Sequence, residues 1–243
     1  MVYKIFPTLN DFENLTRLKV KLSDFANNFD YSNIIVKKPW GYEYLWYQNE
    51  TVAIWVLYIK KDHATSLHCH ARKRTSLIVL EGEVKCTTID DKYNLNTLDA
   101  IVLEPCVFHS SKAISDEGAF IMEIETPPMK GDLVRMNDAY GRQNSGYEKA
   151  SEYSNDFSLY NFLPFKEDEI WIFKNVQVKL SKSKPQLDSN SLLLVPISGN
   201  IKKENNHLID CGEAICKSSK ILLDNISNKK YKFLIFNKIN LNK

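Results

Sequence analysis

Apolar and polar positions follow two different periods along this chain. Between Thr8 and Asn28, Phe12, Leu15, Leu18, Leu22 and Phe25 recur at three- and four-residue intervals. That spacing predicts one amphipathic helix, capped by Thr8 or Asp11. From Tyr31 the pattern shortens. TVAIWVLYIKK (from Thr51), TSLHCH (from Thr65), TSLIVLEGEVKCTTI (from Thr75), LDAIVLEPCVFHS (from Leu98) and AFIMEIETPP (from Ala119) read as strands rich in branched and aromatic residues. A turn falls near Glu81-Gly82, and DDKYNLNT (from Asp90) reads as a polar loop. Short strands at regular spacing predict an antiparallel barrel or sandwich.

Residues 129–160 are polar, Tyr-rich and charged, and read as an ordered connector wrapped around the first β unit. From about Asn161 the chain is β-like again and echoes its first part. SLLLVPISGNI (from Ser191) resembles SLIVLEGEV (from Ser76), which sets Gly199 on Gly82. GEAICKSSKILLDN (from Gly212) resembles LDAIVLEPCVFHSS (from Leu98), and YKFLIFNKI resembles AFIMEIET. In these registers His68 falls on Pro185, His70 on Leu187 and His109 on Leu223, so the second copy keeps the core pattern without the histidines.

Composition narrows the class. In 243 residues, 44% are apolar, enough for a packed core. The net charge of +2 is too balanced for a nucleic-acid or membrane-surface protein. Five cysteines, none in a CxxC pair, point to a reducing compartment rather than a disulfide scaffold. The first residues lack the apolar core of a signal peptide, and no apolar run reaches spanning length. The expected localisation is cytoplasmic.

The candidate chemistry centres on Thr65 to Gly82. His68 and His70 lie two apart on a predicted strand, so both imidazoles share a face while Leu67 and Cys69 take the other. Two imidazoles on one strand face make half a metal site. His109 closes a later strand, and if that strand is a neighbour the three nitrogens converge on one ion. The plain alternative is a pair of ordinary strand histidines. His63 sits at a turn and reads as a surface residue; Cys106 stands near the expected barrel mouth.

HxH at His68 and His70, Gly82 after a strand, the Leu98–Ala100 turn, and Pro105 followed by His109 resemble the two motifs of the cupins. More specifically, KPWGYE (Lys38 to Glu43), TSLHCH and DLVRMNDAYGR (Asp132 to Arg142) resemble the cupin domain of type II phosphomannose isomerases. The resemblance covers about Lys38 to Arg142. Thr75 stands where the family carries its glutamate ligand, and Ala71-Arg72-Lys73-Arg74 where it carries a His-rich run.

The resemblance implies an all-β bicupin of two double-stranded β-helix (jelly-roll) barrels with a short N-terminal helix. The expected division is a helical segment at 1–30, a metal-binding barrel at 31–128, a connector at 129–160 and a degenerate second barrel at 161–243. It implies one divalent ion (Zn, Fe, Ni or Mn) on His68, His70 and His109. The implied activity is isomerisation or epimerisation of a sugar phosphate or nucleotide sugar in surface polysaccharide biosynthesis. Such a reaction needs a base, and Glu123, which alternates onto one face with Glu125, is the candidate for that role or for an auxiliary ligand. An outward-facing Glu pair is the alternative. Arg72 and Lys73 are candidates for holding a phosphate, against a solvated basic turn; Tyr44, Lys85 and Glu43 are further candidates for the cavity. Arg135 and Arg142 are expected to pair with Asp132 and Asp138. A three-His ferrous dioxygenase and a non-catalytic binding module are the competing functions. A homodimer through barrel edges is expected, with neither nucleic acid nor membrane as partner.

Overall fold

The computed structural model describes residues 1–18, 28–143, 145–167, 169–182, 190–203, 206–216 and 231–239. In chain order its elements are β1 (Val2–Ile5), α1 (Leu9–Arg17), β2 (Ile35–Lys38), β3 (Gly41–Gln48), β4 (Ala53–Ile59), β5 (Leu67–Cys69), β6 (Arg74–Glu81), β7 (Glu83–Thr88), β8 (Lys92–Asn96), β9 (Ala100–Leu103) and β10 (His109–Ala113). There follow β11 (Ala119–Thr126), β12 (Val134–Asn137), β13 (Tyr153–Ser154), β14 (Ile170–Phe173), β15 (Val176–Ser181), β16 (Ser191–Pro196), β17 (Ile201–Lys203), β18 (Asn206–Ile209), β19 (Ile215–Cys216) and β20 (Phe233–Lys238). The described residues are mostly β, with one short α-helix, α1, and a single 3-10 turn at Ala150–Glu152. Among the described residues no helix is long and apolar enough to cross a membrane.

An eight-stranded sheet, in the order β1-β9-β6-β11-β4-β3-β2-β13, runs through the middle of the molecule. On one face it packs against the five-stranded sheet β12-β5-β10-β7-β8, closing a double-stranded β-helix around Trp55, Leu57, Leu77, Val79, Val84, Cys86 and Leu95. Its other face packs against the sheet β14-β15-β20-β16-β19, through Tyr44, Trp46, Ile54, Val56 and Met122 on one side and Trp171, Phe173, Leu193, Leu234 and Phe236 on the other. The hairpin β17-β18 then covers part of the outer face of that third sheet around Ile201, Ile209, Phe233 and Ile235. A strand buried on both faces has no polar side, so β4 is written as the unbroken apolar run AIWVLYI. The order β14-β15-β20-β16-β19 parallels that of β3-β4-β11-β6-β9.

Two elements depart from the expectations. The stretch read as a polar loop contains β8, whose Leu95 is buried against β7 while its neighbours face solvent. The first residues form β1, which pairs in parallel with β9 and has too little alternation of its own to be seen in the sequence. The helix is confirmed over Leu9–Arg17, with the Thr8 and Asp11 side chains in a reciprocal capping box. Phe12 is 46% exposed rather than packed, whereas Leu15 and Leu18 sit against Cys69, Phe108 and Val134. Leu22 and Phe25 of the expected helix, and Pro185, Leu187 and Leu223 of the aligned repeat, lie outside the described residues. Gly82 turns β6 into β7 at φ +83°, and a Cβ there would meet Gly118 O and Ser115 Oγ at 2.5 Å, so no side chain fits.

Because one apolar layer joins the eight-stranded sheet to the third sheet, the two should unfold together. Phe236→Ala should cost about 3–5 kcal/mol and still give a single denaturant transition; two separated transitions by fluorescence and circular dichroism would contradict the shared layer.

Candidate metal centre

His68 lies on β5 and His109 opens β10, and the two are direct antiparallel partners. His70 follows β5 on the same side as His68, as the two-residue period requires. One ligand nitrogen from each residue lies within 4.8 Å of the others, and this is the metal-competent group found among the described residues. Ring centroids are 4.5 Å apart for His68 and His109, 5.0 Å for His68 and His70, and 5.4 Å for His70 and His109.

Each ring is oriented by a backbone carbonyl. Nδ1–H of His68 donates to Ser66 O (2.8 Å), that of His70 to Asp132 O (2.6 Å) and that of His109 to Val107 O (3.0 Å). A carbonyl only accepts, so Nδ1 carries the hydrogen in all three rings and the Nε2 lone pair is left free. Burial, the largest cause for each ring, opposes a second proton: His68 and His70 are held well below the ordinary imidazole range, and His109 falls to about 4. His70 Nε2 is buried without a hydrogen-bond partner. Three neutral imidazoles, each held by an outer hydrogen bond with Nε2 available, are the donor set a divalent ion requires.

The supports of this triad reach far along the chain. Asp132 is fully buried; its carboxylate accepts the backbone N–H groups of Arg72 (2.8 Å), Lys73 (3.1 Å) and Ala71 (3.3 Å), while its carbonyl holds His70. Asp11 of α1 accepts the N–H of Phe108 at 2.9 Å, fixing the backbone just before His109. Cys69 faces the opposite side, against Phe108 and Val134.

Beside the triad is a cleft with about 430 Å³ of empty space, part of it open to solvent. Its lining includes five cations (Lys38, Lys73, Lys130, Arg135, Arg142) and four carboxylates (Glu43, Glu123, Glu125, Glu148). Glu123 is 8% exposed with Oε1 at 3.8 Å from His70 Nε2. Burial pushes its carboxyl up to about 7, against the pull of Lys130. Glu125 is buried and paired with Lys73 at 2.7 Å and Lys130 at 3.5 Å. Lys130 also meets Glu43 at 2.8 Å and lies 3.6 Å over the Trp55 ring. Burial would raise the Glu43 carboxyl, but Lys130 and Lys38 outweigh it and hold it at about 2. Tyr147 donates its hydroxyl to Glu43, and Lys38 bridges Glu43 and Glu148.

Not every residue singled out from the sequence reaches this cleft. Glu123 and Lys73 line it. Arg72 is exposed and contributes its backbone N–H to Asp132. Tyr44 is on the other face of the eight-stranded sheet, its ring against Phe162 at 4.8 Å and its hydroxyl accepting Leu163 N–H. One residue earlier, Glu43 faces the cleft, because adjacent strand positions take opposite faces. Lys85 alternates with the buried Val84 and Cys86 and so faces outward from β7. Arg142 pairs with Asp138 as expected, but Arg135 pairs with Glu148 and not with Asp132, whose oxygens are taken by backbone. Cys106 is half-buried with its N–H on His70 O, outside the cleft lining. His63 remains at its turn, bonded to Lys61 O. The sequence reading missed Lys38, Lys130, Tyr147 and Glu148. All four become buried charged or hydroxyl groups only when 129–160 folds over the cleft, and no local period marks them.

No protein-family model matches the chain, and no curated protein sequence does. Solved structures similar to part of it include a conserved protein with a double-stranded β-helix domain from Klebsiella pneumoniae (12% identity, TM-score 0.36, 40% of this chain and 84% of that one). Another is a sugar phosphate isomerase from a cupin superfamily, from Silicibacter pomeroyi (13%, TM-score 0.30, 31% and 50%). A third is the capsular polysaccharide assembling protein CapF from Staphylococcus aureus (14%, TM-score 0.38, 46% and 33%). Each likeness covers less than half of this chain.

Two outcomes test the geometry. Asp132→Ala keeps all three imidazoles and the carbonyl that holds His70, but it removes the carboxylate that ties down the backbone of residues 71–73 just after His70. It should weaken divalent-ion binding about 10–100-fold in a competition titration. Glu43 has a depressed carboxyl, so its contribution to stability is complete above about 4.5 and is lost as the pH falls toward about 2. Glu43→Gln should lower stability at pH 7 by about 3–5 kcal/mol, by leaving buried ammonium groups short of a partner. It should also flatten the acid limb of the stability curve; an unchanged acid limb would exclude Glu43 as its source.

Proposed function

We propose that the barrel around His68, His70 and His109 is a metal-dependent cupin catalyst that isomerises or epimerises a phosphorylated sugar or nucleotide sugar. The observation that carries this reading is the arrangement of the three rings, each giving Nδ1–H to a backbone carbonyl and leaving Nε2 free in a buried cleft. A divalent ion held there would polarise a carbonyl or hydroxyl oxygen of the substrate.

The remaining steps belong to the chain's own side chains. Glu123, 3.8 Å from His70 and kept near neutrality by burial, accepts the carbon-bound proton and returns it. Lys73, fixed by Glu125, offers further N–H donors to an anionic oxygen. The cations lining the cleft outnumber the carboxylates by one, and a bound ion raises that excess, which favours an anionic substrate. The closing segment 129–160 supplies Lys130, Arg135, Arg142 and Tyr147 to the same wall and limits water access. In this reading the third sheet and its hairpin are a structural partner without an ion.

Elemental analysis of the purified protein should find close to one divalent ion per chain, and His70→Ala should lose it. Glu123→Gln should retain the ion and lower turnover of the responsive sugar phosphate by about 10²–10⁴. Full turnover in Glu123→Gln would remove its role as base. Iron together with oxygen uptake would move the reading to a dioxygenase, and no ion after addition of divalent metals would leave a binding module.

A further inference from the structure

A second concavity, sharing no lining residue with the histidine cleft, lies where β2 stops pairing with β3. The β2–β3 ladder ends at Ile35 and Tyr44, so β3 runs on from Leu45 to Gln48 without that neighbour. A register shift against β4 between Leu45 and Tyr47 brings the consecutive residues Trp46, Tyr47 and Gln48 to one groove. The groove holds about 790 Å³ of empty space, open solvent at its mouth included.

Its walls are aromatic and fixed. Phe165 stacks on Trp171 at 4.9 Å and 15°, and Tyr47 meets Phe165 at 4.8 Å. Phe162 stacks on Phe157 at 4.2 Å and 15°. Trp171 Nε1–H donates to Pro164 O at 3.0 Å, which pins the segment carrying Phe162 and Phe165. The rim carries Asn33, held at φ +56°, and Gln48, and neither side-chain amide has a hydrogen-bond partner among the described residues. Among the described residues no Lys, Arg, His, Asp or Glu lines the groove, in contrast to the ionic histidine cleft.

We infer that this groove is a binding subsite for a neutral saccharide. A charged ligand would find no counter-ion there among the described residues. An aliphatic chain would leave the rim amides without partners on the ligand. A pyranose matches both parts, because its C–H face is weakly positive and rests on the negative face of an aromatic ring, while its hydroxyl edge can donate to and accept from amides. The inference is independent of the metal reading and rests on Tyr47, Phe162, Phe165, Asn33 and Gln48.

The test is a titration of the full chain with maltotriose, cellotriose and chitotriose, followed by tryptophan fluorescence and calorimetry. At least one trisaccharide should bind saturably with a Kd of about 1 mM or lower. Tyr47→Ala should weaken that binding about tenfold or more. Gln48→Ala, an exposed position whose loss does not threaten folding, should also weaken it, and neither variant should alter the ion content of the histidine site. Absence of saturable binding to all three sugars, or binding unchanged in both variants, overturns the inference. So does a concentration-dependent dimer that Tyr47→Ala dissociates, which would give the groove to a second copy of the chain.

Discussion

Nearly every side chain of the inner strands β4, β6, β9 and β11 must fit one of two interiors, and that constraint organises the molecule. On β11, Phe120, Met122 and Ile124 enter the layer shared with the third sheet. Ala119 and Ile121 enter the barrel instead, and the next two positions on their side, Glu123 and Glu125, line the ionic cleft. The same strand is therefore structural on one face throughout and changes from core to reactive wall along the other. A shift of register by one residue would carry two carboxylates into an apolar layer, a cost of several kcal/mol for each charge.

Burying so many charges demands mutual compensation. Lys38, Lys130, Glu43, Glu125 and Glu148 are each nearly inaccessible and each touches at least one group of opposite sign. Aromatic faces supply the rest: Lys130 lies over Trp55, and Lys38 lies 4.0 Å from the Tyr147 ring centre. Interlocked pairs of this kind hold one geometry, since removing any member strands another. The histidine triad thus stands beside a wall whose side chains have few alternative positions, and Asp132 and Asp11 restrain the backbone at its other margins. Such restraint is what a site needs to keep three lone pairs aimed at one point.

The parts legible in the sequence are those set by short-range periodicity. The two-residue spacing of His68 and His70 fixed their common face, and the strand ending at His109 could be found from its apolar run. The paired glutamates on β11 were visible for the same reason. Periodicity does not say which face of a strand buried on both sides looks into the barrel, and this is why the adjacent Glu43 and Tyr44 are both sequence candidates for a cleft that Glu43 lines and Tyr44 does not. It also misses strands such as β1 and β8, whose few residues are held by neighbours distant in sequence. The closing segment was legible as polar and aromatic, but the ion pairs that turn Lys130, Tyr147 and Glu148 into cleft residues depend on tertiary contact alone.

The layer beneath the barrel has a consequence for biogenesis. The strands that carry the histidines, the glutamates and the facing sheet are all present once Asn137 has been added. The apolar face formed by Tyr44, Trp46, Ile54, Val56 and Met122 has to wait for β20, a central strand of its covering sheet, which ends at Lys238. At about 5–20 residues per second on the ribosome, that delay lasts several seconds or longer. During this interval the nascent barrel displays a broad greasy surface to its surroundings, and this surface is where a chaperone would have to hold it.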